Sequence, residues 1–134
     1  MTKYVVTVLH NISEDMFWRY RPETSALYHA HDFTVEAKDV ENAADIVWFL
    51  ANTDSVEPGS TYADVTAYRK RRNRSLSVSD VLVIHTDAGE LAGVLVVASV
   101  GFEALEFMPA YTQGDNDSEF SEAYQASQRF VGRR

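Results

Sequence analysis

SVSDVLVIHTDAGELAGVLVVASV, residues 77–100, decides the fold. Two runs rich in Val, Leu and Ile, 77–86 and 90–100, flank Asp87-Ala88-Gly89. Asp87 opens a turn and Gly89 supplies the positive φ that a tight hairpin needs. The reading is a β-hairpin at the centre of the core.

Outward from it, KYVVTVLH (3–10) places Tyr4, Val6 and Val8 on one face and Val5 and Leu9 on the other, as expected of a central strand. In HDFTVEA (31–37), Phe33, Val35 and Ala37 point inward and Asp32, Thr34 and Glu36 outward. Asp39 caps a helix to about Ala51, with Val40, Ala43, Ala44, Val47, Leu50 and Ala51 on one stripe. Trp48 and Phe49 flank that stripe, so the helix is read as largely buried. NTDSVEPGS (52–60) breaks it. Thr61 and Asp64 sit at capping-box spacing before a short helix whose inner face is Tyr62, Val65 and Tyr68. GFEALEFMP (101–109) reads as an irregular edge or short strand. The expected fold class is α+β: a small curved, mostly antiparallel sheet or partial barrel with two to three helices packed on it. Residues 1–109 form a single domain in this reading. Residues 110–134 follow as a C-terminal helix or tail, with Asn116 and Glu119 at capping spacing and Phe120, Ala123, Tyr124, Ser127 and Val131 on one face.

A chain of 134 residues with 46% hydrophobic and 24% charged side chains suits one globular domain. It has no cysteine, which excludes a disulfide scaffold, a cysteine zinc site and a cysteine nucleophile. The apolar run at 4–8 is too short for a signal-peptide core, and no segment approaches a membrane span. The expected location is the cytoplasm. The net charge is −8, yet five of the 12 basic residues crowd into Arg69, Lys70, Arg71, Arg72 and Arg74. The rest carries seven cations against 20 carboxylates, a body that repels nucleic acid at long range.

The chemistry-bearing residues are few. Arg69 to Arg72 fall in the last turn of the second helix, where cations complement the helix dipole and stay available to an anionic partner. Ser75, Ser77 and Ser79 would line one face of a strand, and with Arg72 and Arg74 nearby they offer phosphate donors. No glycine-rich loop accompanies them, so hydroxyls bonding local backbone are favoured. A serine nucleophile would need His85 and Asp80, but one short segment spreads the three along a line. Glu103 and Glu106 show nothing that marks a catalytic pair. His29 and His31 would share a strand face, with Asp32 opposite; no third ligand has a recognisable spacing, so no metal and no cofactor is assigned. Phe17, Trp18, Tyr20, Tyr28, Trp48 and Phe49 are not interleaved with the cations and are read as core and core-lid residues rather than base-stacking platforms.

YRKRRNRSLSVSDVLVI (68–84) and GELAGVLVVASVGFEAL (89–105) resemble the YodL-like family of small domains found in mobile elements and their hosts. That family shows a basic or polar lead, an R-S-L/M-S-V-S/G-D-V core, a short hairpin and a closing strand ending in Gly-Phe. The matching positions are Arg74, Ser75, Leu76, Ser77, Val78, Ser79, Asp80 and Val81, then Gly101 and Phe102. The upstream VWFLANTDS (47–55) is similar to the helix preceding this core. The strong likeness covers about 68–105. Before its Gly-Phe the family often has Tyr or Asp, where this chain reads VVASV. The resemblance implies a compact α+β domain from a phage, plasmid or integrated element of actinobacterial type. It carries no catalytic role.

The expected function is that of a non-enzymatic accessory protein that binds a host or element-encoded protein, modulating host defence or host machinery. Two alternatives stay open: a nucleic-acid-linked module touching phosphate backbone through Arg69 to Arg74, and an acidic mimic of DNA. Arg74, Ser75, Ser77, Asp80, Gly101 and Phe102 are expected to act as a structural signature tying the hairpin to its neighbours.

Overall fold

In the computed structural model, residues 1–13, 20–21, 25–53, 62–70 and 73–112 are described. Five strands form one open antiparallel sheet: β1 (Thr2–Asn11), β2 (Leu27–Ala37), β3 (Val81–Thr86), β4 (Leu91–Val97) and β5 (Phe102–Ala104), in the order β2-β1-β3-β4-β5. Helices α1 (Val40–Asn52) and α2 (Tyr62–Lys70) pack against one face. The fold is α+β.

Alternation sets the layers. Tyr4, Val6 and Val8 of β1 join Phe33, Val35 and Ala37 of β2, Leu82 and Ile84 of β3, and Leu95 and Val97 of β4 in the core beneath the helices. Leu9 points the other way and meets Leu27, Val81, Val83, Val94 and Val96 in a second cluster. Strand β3 is therefore buried on both faces over Val81–Ile84, and β1 from Val8 onward, while Val5 and Thr7 on the second face of β1 are half-buried. The hairpin turn between β3 and β4 has Gly89 at φ +89°.

Asp39 caps α1, its carboxylate accepting from the Asn42 amide at 2.8 Å. The helix buries Ala43, Ala44, Val47, Leu50 and Ala51, three of them alanines that let it lie close to the sheet. Gly93 of β4 serves the same approach, since a Cβ there would stand 3.1 Å from Val40 Cγ1. Trp48 and Phe49 are not buried: they are 41% and 59% exposed. Both sit off the stripe that meets the sheet, so the expectation of a helix buried nearly all round fails at those two positions.

Two further corrections concern backbone. The sequence places a strand from residue 77, but β3 starts at Val81 and residues 74–80 form a loop with Ser79 at φ +79°. In β2, the register with β1 slips between Val8↔His31 and Leu9↔His29, leaving Ala30 as the extra residue of a bulge. Past residue 109, Thr112 still bridges Tyr28 at the outer edge of β2. The expected helix over 116–131 lies outside the described residues.

Candidate functional site

Residues 74–80 wrap around one ion pair. Arg74 grips Asp80 through both ends of its guanidinium, Nη1 to Oδ2 at 2.7 Å and Nη2 to Oδ1 at 2.6 Å. The Asp80 side chain is fully buried and that of Arg74 is 11% exposed. Asp80 also accepts from the amides of Asn11 and Ser77, both at 2.8 Å. Arg74 donates in addition to the carbonyls of Ser75 at 2.9 Å and Asn11 at 3.2 Å. A buried carboxylate survives desolvation when its lone pairs are filled in this way. The backbone completes the joint: Ser79 N–H donates to the Val97 carbonyl, and Val97 N–H to that of Asp80. One short loop thus fastens the end of β1, the start of β3 and the end of β4.

The serines are part of this joint. Ser79 Oγ accepts from Asn11 Nδ2 at 3.2 Å, and the Ser77 hydroxyl reaches only the Ser75 carbonyl, at 3.5 Å. They form no strand face and no phosphate cradle. Asp80 is held by Arg74 and is not free to orient His85 towards any of them. Ser79 holds a positive φ, a conformation that glycine adopts without strain.

The cation cluster divides. Arg69 does not stay solvent-facing: Nη2 donates to the carbonyls of Ala51 at 3.1 Å and Thr53 at 2.9 Å. Helix α1 has no basic residue in its own last turn, so α2 supplies the charge for its C-terminal end. The guanidinium also lies 5.6 Å from the centre of the Tyr68 ring. Arg74 is engaged as described. The side chains of Lys70, Arg71 and Arg72 lie outside the described residues, so of the expected anion-binding set Arg69 alone is placed, and its guanidinium is turned to the carbonyls at the end of α1.

Tyr68, fully buried, connects the helix to this joint. Its hydroxyl donates to the Arg74 carbonyl and lies 2.8 Å from His10 Nε2. A phenol has one proton, so His10 must be the donor to Tyr68, which fixes a neutral imidazole protonated at Nε2. Complete burial, seconded by the nearby Arg74 charge, holds the His10 pKa well below 6.5.

The bulge at Ala30 sends His29 and His31 to opposite faces. His31 packs edge-on against Phe33 and near Tyr68, with Nε2 3.5 Å from Asp64 Oδ1. His29 instead joins Asp32, Nε2 to Oδ1 at 2.9 Å. Partial burial would raise the Asp32 carboxyl, but hydrogen bonds from His29 and Thr7 and the charges of His29 and His31 outweigh it and leave the pKa lowered. The expected shared face for the two histidines is thus wrong, because one inserted residue inverts the alternation.

The outer edge of β2 is covered in places, while Asp32, Thr34 and Glu36 are exposed along it. Leu27 O and His29 N bond Thr112, Asn73 Nδ2 donates to Ala30 O, and Asp64 Oδ2 accepts from Thr34 N. The far edge differs. Between α1 and the end of the β4–β5 hairpin lies a groove of about 320 Å³, lined by Asp45, Trp48, Val78, Val97, Gly101 and Phe102 among others. Gly101, at φ +68°, makes the turn that brings Phe102 to its wall. Val100 at the turn is 90% exposed.

No family model, curated protein or solved structure matches this chain. The motif at 74–81 and 101–102 therefore stands by itself, and its residues divide between a structural joint and the rim of the groove. The groove had a weak signal in the sequence. Trp48 falls outside the apolar stripe of α1, and a large aromatic outside the stripe has to go somewhere else. No helix among the described residues is long and apolar enough to cross a membrane.

Proposed function

We propose that this chain is a non-enzymatic protein-binding module, an accessory factor that acts by engaging another protein. The observation that carries this reading is the groove walled by Trp48 and Phe102 with an acidic member, Asp45; Trp48 is 41% exposed there and its chain neighbour Phe49 is 59% exposed. Exposed aromatics around a concavity are the usual anchors of protein recognition. The polar residues the motif contributes are occupied in bonds that hold strands together, which supports a binding role over catalysis. The likeness of 68–105 to YodL-like sequences supports a setting in a phage or other mobile element, with the partner encoded by the host or the element.

The test is site-specific photocrosslinking at Phe49 in an actinobacterial lysate, compared with a Trp48→Ser/Phe49→Ser variant in affinity capture. One stoichiometric partner, crosslinked at Phe49 and lost from the variant, is the expected result. Equal recovery by the folded variant, or no specific partner for the wild type, overturns the proposal.

A further inference from the structure

Of the two sheet edges, that of β5 adjoins the groove. Ala98 N–H bonds Gly101 O, and Leu105 N–H bonds Val94 O. With Val96 opposite Glu103, those pairs are the hydrogen-bonded rungs of the β4–β5 ladder. The N–H and C=O groups of Phe102 and Ala104 therefore point away from β4, and no strand among the described residues takes them. Phe102 and Ala104 share the helix-side face with Val97, so a strand laid along β5 would drop alternate side chains towards Trp48 and the groove.

Charge selects what that strand is. The described groove residues include Asp45 and no cation. Glu103 and Glu106 are exposed on and beside the edge, and Glu41 stands one turn before Asp45 on the open side of α1. A second copy of the chain fits poorly. A two-fold antiparallel pairing centred on Glu103 sets that residue opposite its own copy in the non-hydrogen-bonded rung, where side chains are closest. It also brings together two bodies of net charge −8.

We infer that the β5 edge takes up an extended, cationic segment of a partner protein by strand addition, with an apolar side chain seated between Trp48 and Phe102. The inference rests on the protein-binding reading and specifies its partner chemistry. Main-chain bonds to Phe102 and Ala104 supply the docking, lysines or arginines flanking the apolar residue point to the other face of the sheet and meet Glu103, and Asp45 adds longer-range attraction from the groove side.

The probe is a set of three eight-residue peptides: alternating lysine and valine with a central leucine, the same with glutamate for lysine, and the lysine form interrupted by a central proline. Amide spectra and hydrogen exchange of the full chain are followed during titration. The cationic peptide is expected to shift Phe102, Glu103, Ala104 and the Trp48 indole and to slow exchange at Phe102 and Ala104 at least tenfold. Asp45→Asn/Glu103→Gln should weaken binding about tenfold, and the proline form should lose the protection. Equal binding of the acidic peptide, binding without protection of those two amides, or no binding overturns the inference. So does protection that rises with protein concentration without peptide, which would mean self-association. Should the peptides fail while the Trp48→Ser/Phe49→Ser variant still loses its captured partner, strand addition is wrong and the protein-binding reading stands.

Discussion

Arg74 and Asp80 meet in a two-point ion pair at 2.6 and 2.7 Å, and every oxygen of the carboxylate has a second donor from the backbone. Removing one partner leaves a charge buried without compensation. Arg74→Ala is expected to lower unfolding free energy by about 3–5 kcal/mol. Asp80→Asn should cost a comparable amount, and the double variant less than the sum, because the pair acts as a unit. Urea denaturation of the three proteins checks this; additive losses would mean that the two residues act separately.

His10 makes stability depend on pH. The folded chain keeps it neutral, whereas the unfolded chain binds a proton below about pH 6.5. Unfolding thus takes up protons in that range, so the contribution is fully present above 6.5 and is lost as pH falls below it. The slope approaches about 1.4 kcal/mol per pH unit. Melting curves between pH 7.5 and 5 should show the loss in the wild type and a flatter profile in His10→Gln, whose amide can still donate to Tyr68. A profile unchanged by that substitution would assign the acid sensitivity to other groups.

Ser79 serves through its backbone as well as its hydroxyl. Ser79→Ala keeps the left-handed conformation and leaves Asn11 Nδ2 short of an acceptor, for a loss of about 1–2 kcal/mol. Ser79→Gly loses the same acceptor but relieves about 1–2 kcal/mol of backbone strain, so it should lie near the wild type. Thermal melts in which alanine outperforms glycine would show that φ is not the constraint.

Arg69 is expected to behave as a helix cap. Arg69→Ala should destabilise by about 1–2 kcal/mol through the loss of its bonds to the Ala51 and Thr53 carbonyls, with Arg69→Lys intermediate because it lacks the fork. The substitution should leave the salt dependence of any DNA or RNA mobility shift unaltered. A reduced salt slope would return Arg69 to a phosphate-contacting role.

The hairpin, the central strand and α1 were legible because each repeats its apolar residues at the period of its element. Asp39 and Gly89 marked their boundaries as the physics of caps and turns requires. Leu76 and Val78 alternate with serines and so mimic a strand, but the donors nearby go to Asp80 and Val97 instead of a continuous ladder. That choice depends on a long-range joint with Asn11, which local pattern does not contain. The bulge at Ala30 carries no glycine or proline to announce it. Of the candidate site, the pairing of Arg74 with Asp80 was within reach of the sequence. The groove left only the mark of Trp48 outside the α1 stripe, because its other wall, Phe102, belongs to a different element.

The two sheet edges are unequal hosts for a further strand. On β2, Thr112, Asn73 and Asp64 already hold Leu27 O, His29 N, Ala30 O and Thr34 N, so a strand arriving there would have to displace them, whereas no strand among the described residues lies beside Phe102 and Ala104 of β5. Growth at β5 is favoured over growth at β2, which works against open-ended stacking of domains. Asp64→Ala, which frees the Thr34 amide, would be the first step towards a domain that can propagate.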